Sequence, residues 1–201
     1  MIKLIFTRLT FILLLSGFQI CYAETSTSEA VVNNLQQTLI KVMKESEALD
    51  YDGRYEILEP VVMDSFDFDT IARITMGRYW KKLDEEQKAE FINIFSRLSI
   101  ATYAAQFNSY SGEVFEYLEN IDMKKGRSMV KAKLVTNDRV VPFNYILHPT
   151  DDGWRIINVV ADGVSDLSLK RSDYATIMKT KGFDILVRKL LEKIKLSSNK
   201  P

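Results

Sequence analysis

Few side chains in this sequence have types and spacing suited to chemistry. His148 is the only histidine. A metal site built on it would need carboxylates for every other ligand, a poor match to sites made from His and Cys, and its place before Pro149 reads as a surface position. Asp67 and Asp69 are two residues apart, so on a helix they diverge by about 200° and cannot act as a paired acid and base. Helix capping is the better role for them. Gly163-Val164-Ser165-Asp166 sets a serine beside an aspartate, but it has no neighbouring base and is not a Gly-x-Ser-x-Gly elbow. Ser165 or Asp166 reads as the cap of a following helix. Asp162 is the one enzymatic candidate, as general base of a small isomerase or hydrolase with a cone-shaped α+β fold. Lys170-Arg171 comes next. Arg171 at a pocket mouth would grip a phosphate oxygen bidentately, and a salt bridge to a neighbouring helix is the plainer alternative. No Gly-x-x-x-x-Gly-Lys loop is present to bind nucleotide phosphates. The residues therefore point to no catalysis, no metal and no cofactor.

Apolar and aromatic groups stand out instead. Residues 66–80, FDFDTIARITMGRYW, combine Phe66, Phe68, Tyr79 and Trp80 with small and aliphatic residues. With ADGVSDL at 161–167 they point to a protein that carries an apolar ligand. Tyr103, Tyr110, Tyr145 and Tyr174 suit places where an apolar cavity meets water, because a buried hydroxyl needs a partner.

The chain has 201 residues, with 27 Lys and Arg against 27 Asp and Glu, so it carries no electrostatic footprint for nucleic acid. Lys3 and Arg8, the apolar run 9–17 and Cys21-Tyr22-Ala23 read as a secretory signal cut after Ala23, with an N-terminal anchor helix as the alternative. The only cysteine leaves with it, so no disulfide or thiol is available. The remainder, 24–201, suits one domain.

The elements follow from periodicity. Ser26-x-x-Glu29 predicts a capping box ahead of Val32, Leu35, Leu39, Val42 and Met43 at helical spacing. Residues 50–53 end that pattern, and Glu59-Pro60 ends the next short one. A third helix starts near Asp67 or Asp69 and stops near Gly77. Asp84 with Gln87 caps the longest helix, which carries Phe91, Phe95, Leu98, Thr102 and Phe107 and ends at Gly112. The period then changes to two. Residues 113–123, 128–136, 139–148 and 154–162 read as four strands joined by short turns, hence antiparallel. Val141, Phe143, Tyr145 and Leu147 share one strand face. Helical spacing returns after Gly163, with a stop at Gly182. Helices, then a meander, then helices make an α+β domain. It has more helices than are needed to cover one sheet face, which suggests that helices and sheet enclose something.

Five segments in order, FDFDTIARITMGRYWKKLDEEQKAEFINIF, TYAAQFNSYSGE, YILH, GWRIINVVADGVSDLSLKRSDY and KGFDILVRKL, resemble the periplasmic lipid-carrier family MlaC, also called the toluene-tolerance family. The wording DGVSDLSLKR is nearer the branch associated with hopanoid biosynthesis. The resemblance covers residues 28 to 195. It implies a sheet of about four strands packed on helices, with a deep apolar pocket between them for acyl chains. It implies a monomeric periplasmic shuttle for phospholipid or a hopanoid-type lipid, running between an inner-membrane ABC transporter complex and an outer-membrane complex. Carried onto this sequence, the pocket falls on Tyr103, Phe107, Tyr110, Tyr145, Leu147, Val159, Val164 and Tyr174, with Arg171 as head-group candidate.

Overall fold

The computed structural model describes residues 27–198. The expected cleavage after Ala23 and the expected Ser26 cap lie outside the described residues. The first helix, α1 (Ser28–Lys44), is capped by Thr27, whose hydroxyl accepts from the Ala30 N–H. Its heptad-like apolar face, including Val32, Leu35, Leu39 and Val42, is buried. α2 (Tyr51–Ser65) follows, then α3 (Phe68–Met76), a 3-10 segment (Gly77–Lys82) and α4 (Glu85–Gln106). Strands β1 (Val114–Met123), β2 (Arg127–Val135), β3 (Val140–Thr150), β4 (Gly153–Ala161) and β5 (Val164–Ser165) lead into α5 (Asp166–Thr180) and α6 (Phe183–Ser198).

The five strands form one antiparallel sheet in sequence order. One face of it is apolar. Cross-strand register sets Val130 beside Tyr145 beside Val159, and Ala132 beside Phe143 beside Ala161, as alternation along each strand requires. Helices α1, α2, α3 and α5 lie on this face, while α4 packs on α2 and α3 and carries α6 on its far side. The opposite face is polar on its first two strands, where Glu116–Lys133 and Glu119–Lys131 form cross-strand ion pairs. The core runs through both layers: Leu35, Leu58, Phe91, Phe95, Tyr145, Leu147, Ile156 and Leu186 are almost wholly inaccessible.

The α+β reading holds, with a sheet one strand larger than expected. The addition follows from Asp162-Gly163. Both have positive φ, 51° and 76°, the conformation of a two-residue hairpin turn, and Asp-Gly is a favoured pair there. The turn folds Val164 back beside Ala161. Two helix boundaries also differ. Pro60 lies inside α2, and Asp50 caps that helix by accepting from the Gly53 N–H. The proline removes one helical hydrogen bond, but Leu58 and Val62 on either side are fully buried, and that burial carries the helix through. α4 stops six residues before Gly112, because Phe107 leaves the helix with φ −100° and ψ 61° and tucks its ring under cover.

Leu147 has no exposed surface and faces Ser128 and Ile156 across the sheet. Leu147→Glu should therefore cost at least about 3 kcal/mol, the penalty for an unpaired buried carboxylate. Thermal melts by circular dichroism should show a large loss of stability. A variant melting with the native chain would contradict the packing described.

Candidate functional site

The joint between α2 and α3 sets the geometry of the site. Phe66 forms a parallel bridge with Ile156 of β4, and the Asp67 N–H donates to the Ile156 carbonyl at 3.0 Å. The Asp67 carboxylate accepts from the Thr70 N–H at 2.8 Å, capping α3. Its other oxygen lies 2.7 Å from Nε2 of His148 on β3. His148 is thus a half-buried partner of Asp67, in place of the surface residue expected. Nearby, Arg155 of β4 reaches Asp64 at 3.1 Å. Burial pushes the Asp67 carboxyl up, but hydrogen bonds from Thr70 and His148 outweigh it and hold the group below the usual aspartate value.

Fixing residue 67 fixes its neighbours. Phe66 and Phe68 stack with ring centroids 5.8 Å apart; Phe66 meets Tyr103 at 6.1 Å, and Phe68 meets Phe95 at 6.1 Å. These rings form one wall of a cavity of about 240 Å³ between α3, α4, α5 and the end of the sheet. Phe107, Phe143, Ile157 and Val159 complete its apolar lining, and Leu167 of α5 covers it. Ser99, Thr102 and Gln106 on α4 and Asp166 and Lys170 on α5 give it a polar rim. Ser165 caps α5 by accepting from the Ser168 N–H, and its own hydroxyl donates to Asn158 of β4. Strand and helix are joined at that point.

Tyr103, Phe107 and Val159 of the expected site line this cavity. The others lie elsewhere. Tyr145 and Leu147 are packed beneath it in the core, and the Tyr145 hydroxyl accepts from Gln36 Nε2 at 3.3 Å. Tyr174 is buried edge-on against Phe91 and Phe95. Val164 is exposed on β5, and Tyr110 lines a different cleft. The Arg171 side chain lies over Gly77, its guanidinium 3.5 Å from where a Cβ on that glycine would stand. Burial pushes the Tyr103 hydroxyl well up, and the nearby Asp166 carboxylate adds to the effect. Phe66, Phe68 and Leu167, also in the lining, come from the apolar runs at 66–80 and 161–167, and Phe143 from the strand face it shares with Tyr145 and Leu147.

Two larger clefts of about 520 and 480 Å³ lie between α1 and the edge strand β1. They share Asn33, Gln36 and Phe115; the first adds Gln37, Lys41, Lys44, Glu45 and Glu113, while the second is lined mainly by apolar groups, among them Val32, Tyr117, Val130 and Ala132. The smaller cavity is the most apolar of the three and the only one walled by several aromatic rings in contact, and lining chemistry, more than volume, marks a site for an apolar ligand. Asp162 lies outside its lining, in the exposed β4–β5 turn. Among the described residues no group of three or more His, Cys, Asp or Glu is placed to hold a metal ion, and no helix is long and apolar enough to cross a membrane.

A family model for the MlaC protein matches residues 33–192. The chain is 25% identical over 183 residues to the toluene tolerance protein ttg2D of Pseudomonas putida, covering 87% of this chain and 83% of that one. It is 22% identical over 200 residues to the intermembrane phospholipid transport system binding protein MlaC of Haemophilus influenzae, covering 92% and 90%. Its fold matches a phospholipid-binding protein of Ralstonia solanacearum solved with a phospholipid, with a TM-score of 0.76 at 17% identity, covering 87% of this chain and 100% of the other. The family match spans most of the sequence, and the chain belongs to the MlaC family.

Because folding lowers the Asp67 pKa, its contribution to stability is present above the unfolded aspartate value near 4 and is lost as pH falls through the lower folded value. Asp67→Ala should cost about 1–2 kcal/mol at pH 7 through the lost cap and histidine contact. That difference from the native chain should shrink in melts below about pH 4. A difference unchanged between pH 7 and pH 3 would show that the carboxylate charge plays no part.

Proposed function

We propose that this MlaC-family chain is a periplasmic carrier of phospholipid, without catalysis, acting as the soluble component of an ABC-type lipid transport system. The observation that carries this reading is the apolar cavity walled by Phe66, Phe68, Tyr103, Phe107, Phe143, Val159 and Leu167. Two relatives support it, one an intermembrane phospholipid transport system binding protein and one a phospholipid-binding protein solved with its lipid. In this reading residues 1–23 are a cleaved signal, 24–201 form one monomeric carrier domain, and the partners are an inner-membrane ABC transporter complex and an outer-membrane complex. Asp162 as a catalytic base has less support, since it stands in solvent outside the cavity.

The cavity's 240 Å³ falls below the 300–1,000 Å³ common for ligand pockets. Seating acyl chains therefore requires the wall to spread. We assign that movement to α5, which packs on α3, α6 and β4 and sets Tyr174 edge-on against Phe91 and Phe95 of α4. A hopanoid-type lipid is the second cargo, favoured by the wording of residues 162–171. The close ring walls suit flexible chains better than a rigid polycycle.

Protein purified without detergent should release phospholipid on organic extraction, read by mass spectrometry. Val159→Trp, which fills the cavity without burying a charge, should lower lipid content about tenfold. Its melting temperature should stay within a few degrees of native, because the added ring enters existing space and forces little overpacking. Folded, lipid-free native protein would refute the carrier reading. Hopanoid in the extract would change its cargo, and undiminished lipid in Val159→Trp would move the site elsewhere.

A further inference from the structure

The lipid reading accounts for the apolar walls of the cavity but not for the cation at its mouth. Among the described residues Lys170 is the only cationic side chain in the lining. It is largely withdrawn from water, with 23% of its side chain exposed, and its Nζ lies 5.4 Å from the centroid of the Phe95 ring. Its partner is Asp166, one turn earlier on α5, at 2.5 Å with 59% of that side chain exposed. Across the mouth, the Ser99 and Thr102 hydroxyls donate to the Phe95 and Leu98 carbonyls of their own helix. They turn lone pairs, and no protons, towards an incoming ligand. The charged donor at this rim is Lys170 alone. Its neighbour Arg171 lies over Gly77.

We propose that Lys170 recognises an anionic head group, a phosphodiester or its equivalent, on the lipid whose chains enter the cavity. The anion displaces Asp166. The inference rests on the carrier reading above and adds to it the class of head group selected. An ammonium held over an aromatic face and partly dried by its own buried stem attracts an anion more strongly than one in open water. Its present pair is a helical i,i+4 contact whose carboxylate is mostly exposed, one of the weak kind, so exchanging it costs little. Once displaced, Asp166 keeps a favourable place in the first turn of α5, at the positive end of the helix dipole.

The test compares phosphatidylglycerol with diacylglycerol carrying the same chains, each measured by displacement of a fluorescent-tailed lipid from the protein. The native chain should prefer phosphatidylglycerol by about tenfold, and rising salt should erode the preference. Lys170→Ala should bring the ratio of the two affinities close to one. Lys170→Arg should keep most of it, and Asp166→Asn should increase it. Inorganic phosphate, compared with chloride at equal ionic strength, should not compete; competition would make the site one for free anions and overturn the proposal. It is also overturned if Lys170→Ala keeps the native ratio, or if Lys170→Arg loses as much as Lys170→Ala. Native protein that binds both lipids without preference would refute this inference alone. Native protein that binds neither would refute the carrier reading on which it rests.

Discussion

Asp67 joins the helical layer to the sheet, and the cavity exists in its present form because of that joint. Its N–H continues the β4 edge through Ile156, one carboxylate oxygen starts α3, and the other meets His148 on β3. The pair is sheltered, with side-chain exposures of 16% for Asp67 and 24% for His148. Water screens it less than it would an ion pair in open solvent. The residues on either side, Phe66 and Phe68, are thereby aimed at the same space from two directions. Their rings then organise Tyr103 and Phe95 on α4. A polar contact between a helix start and a strand thus fixes an apolar wall.

The walls have a physical consequence for transport. Each methylene moved from water into such a site gains about 0.8 kcal/mol. A bilayer core offers nearly the same gain, so a carrier of this type holds its cargo firmly against water and only weakly against a membrane. Passing lipid in either direction then needs only small differences between partners. A tight, rigid cavity would spoil that balance by making entry slow. The sheet, α3 and α4 build one side of the cavity. Opposite stands α5, tied to β4 through Ser165 and Asn158 and setting Tyr174 edge-on against Phe91 and Phe95 of α4.

Much of this architecture was legible in the sequence because the signals were local. Alternation gave the four long strands to within about two residues at each end, and Asp84 with Gln87 forms the expected capping box. Asp67 and Ser165 cap helices as their positions indicated. What escaped was decided at a distance. Pro60 looks like a helix stop until Leu58 and Val62 are seen to be buried beside it. The Asp162-Gly163 hairpin was hidden because its second strand is only two residues long. Tyr145 and Leu147 share a strand face with Phe143, yet only Phe143 reaches the cavity. Which point along a strand a cavity occupies depends on where α3 and α5 cross it, and period-two alternation holds no such information. His148 gave no local sign of its partner, 81 residues away in sequence.

On the proposed carrier reading, acyl chains enter the cavity between α3, α4, α5 and the sheet, and not the wider clefts beside α1. A phospholipid carrying a nitroxide near the end of one chain, bound to isotope-labelled protein, reports this directly by paramagnetic broadening of nuclear magnetic resonance signals. Signals of Tyr103, Phe143, Val159 and Leu167 should be bleached, while those of Gln37 and Tyr110 persist. Bleaching centred on Gln37 and Tyr110 with the Val159 signal intact would place the lipid in the other cleft and contradict the account.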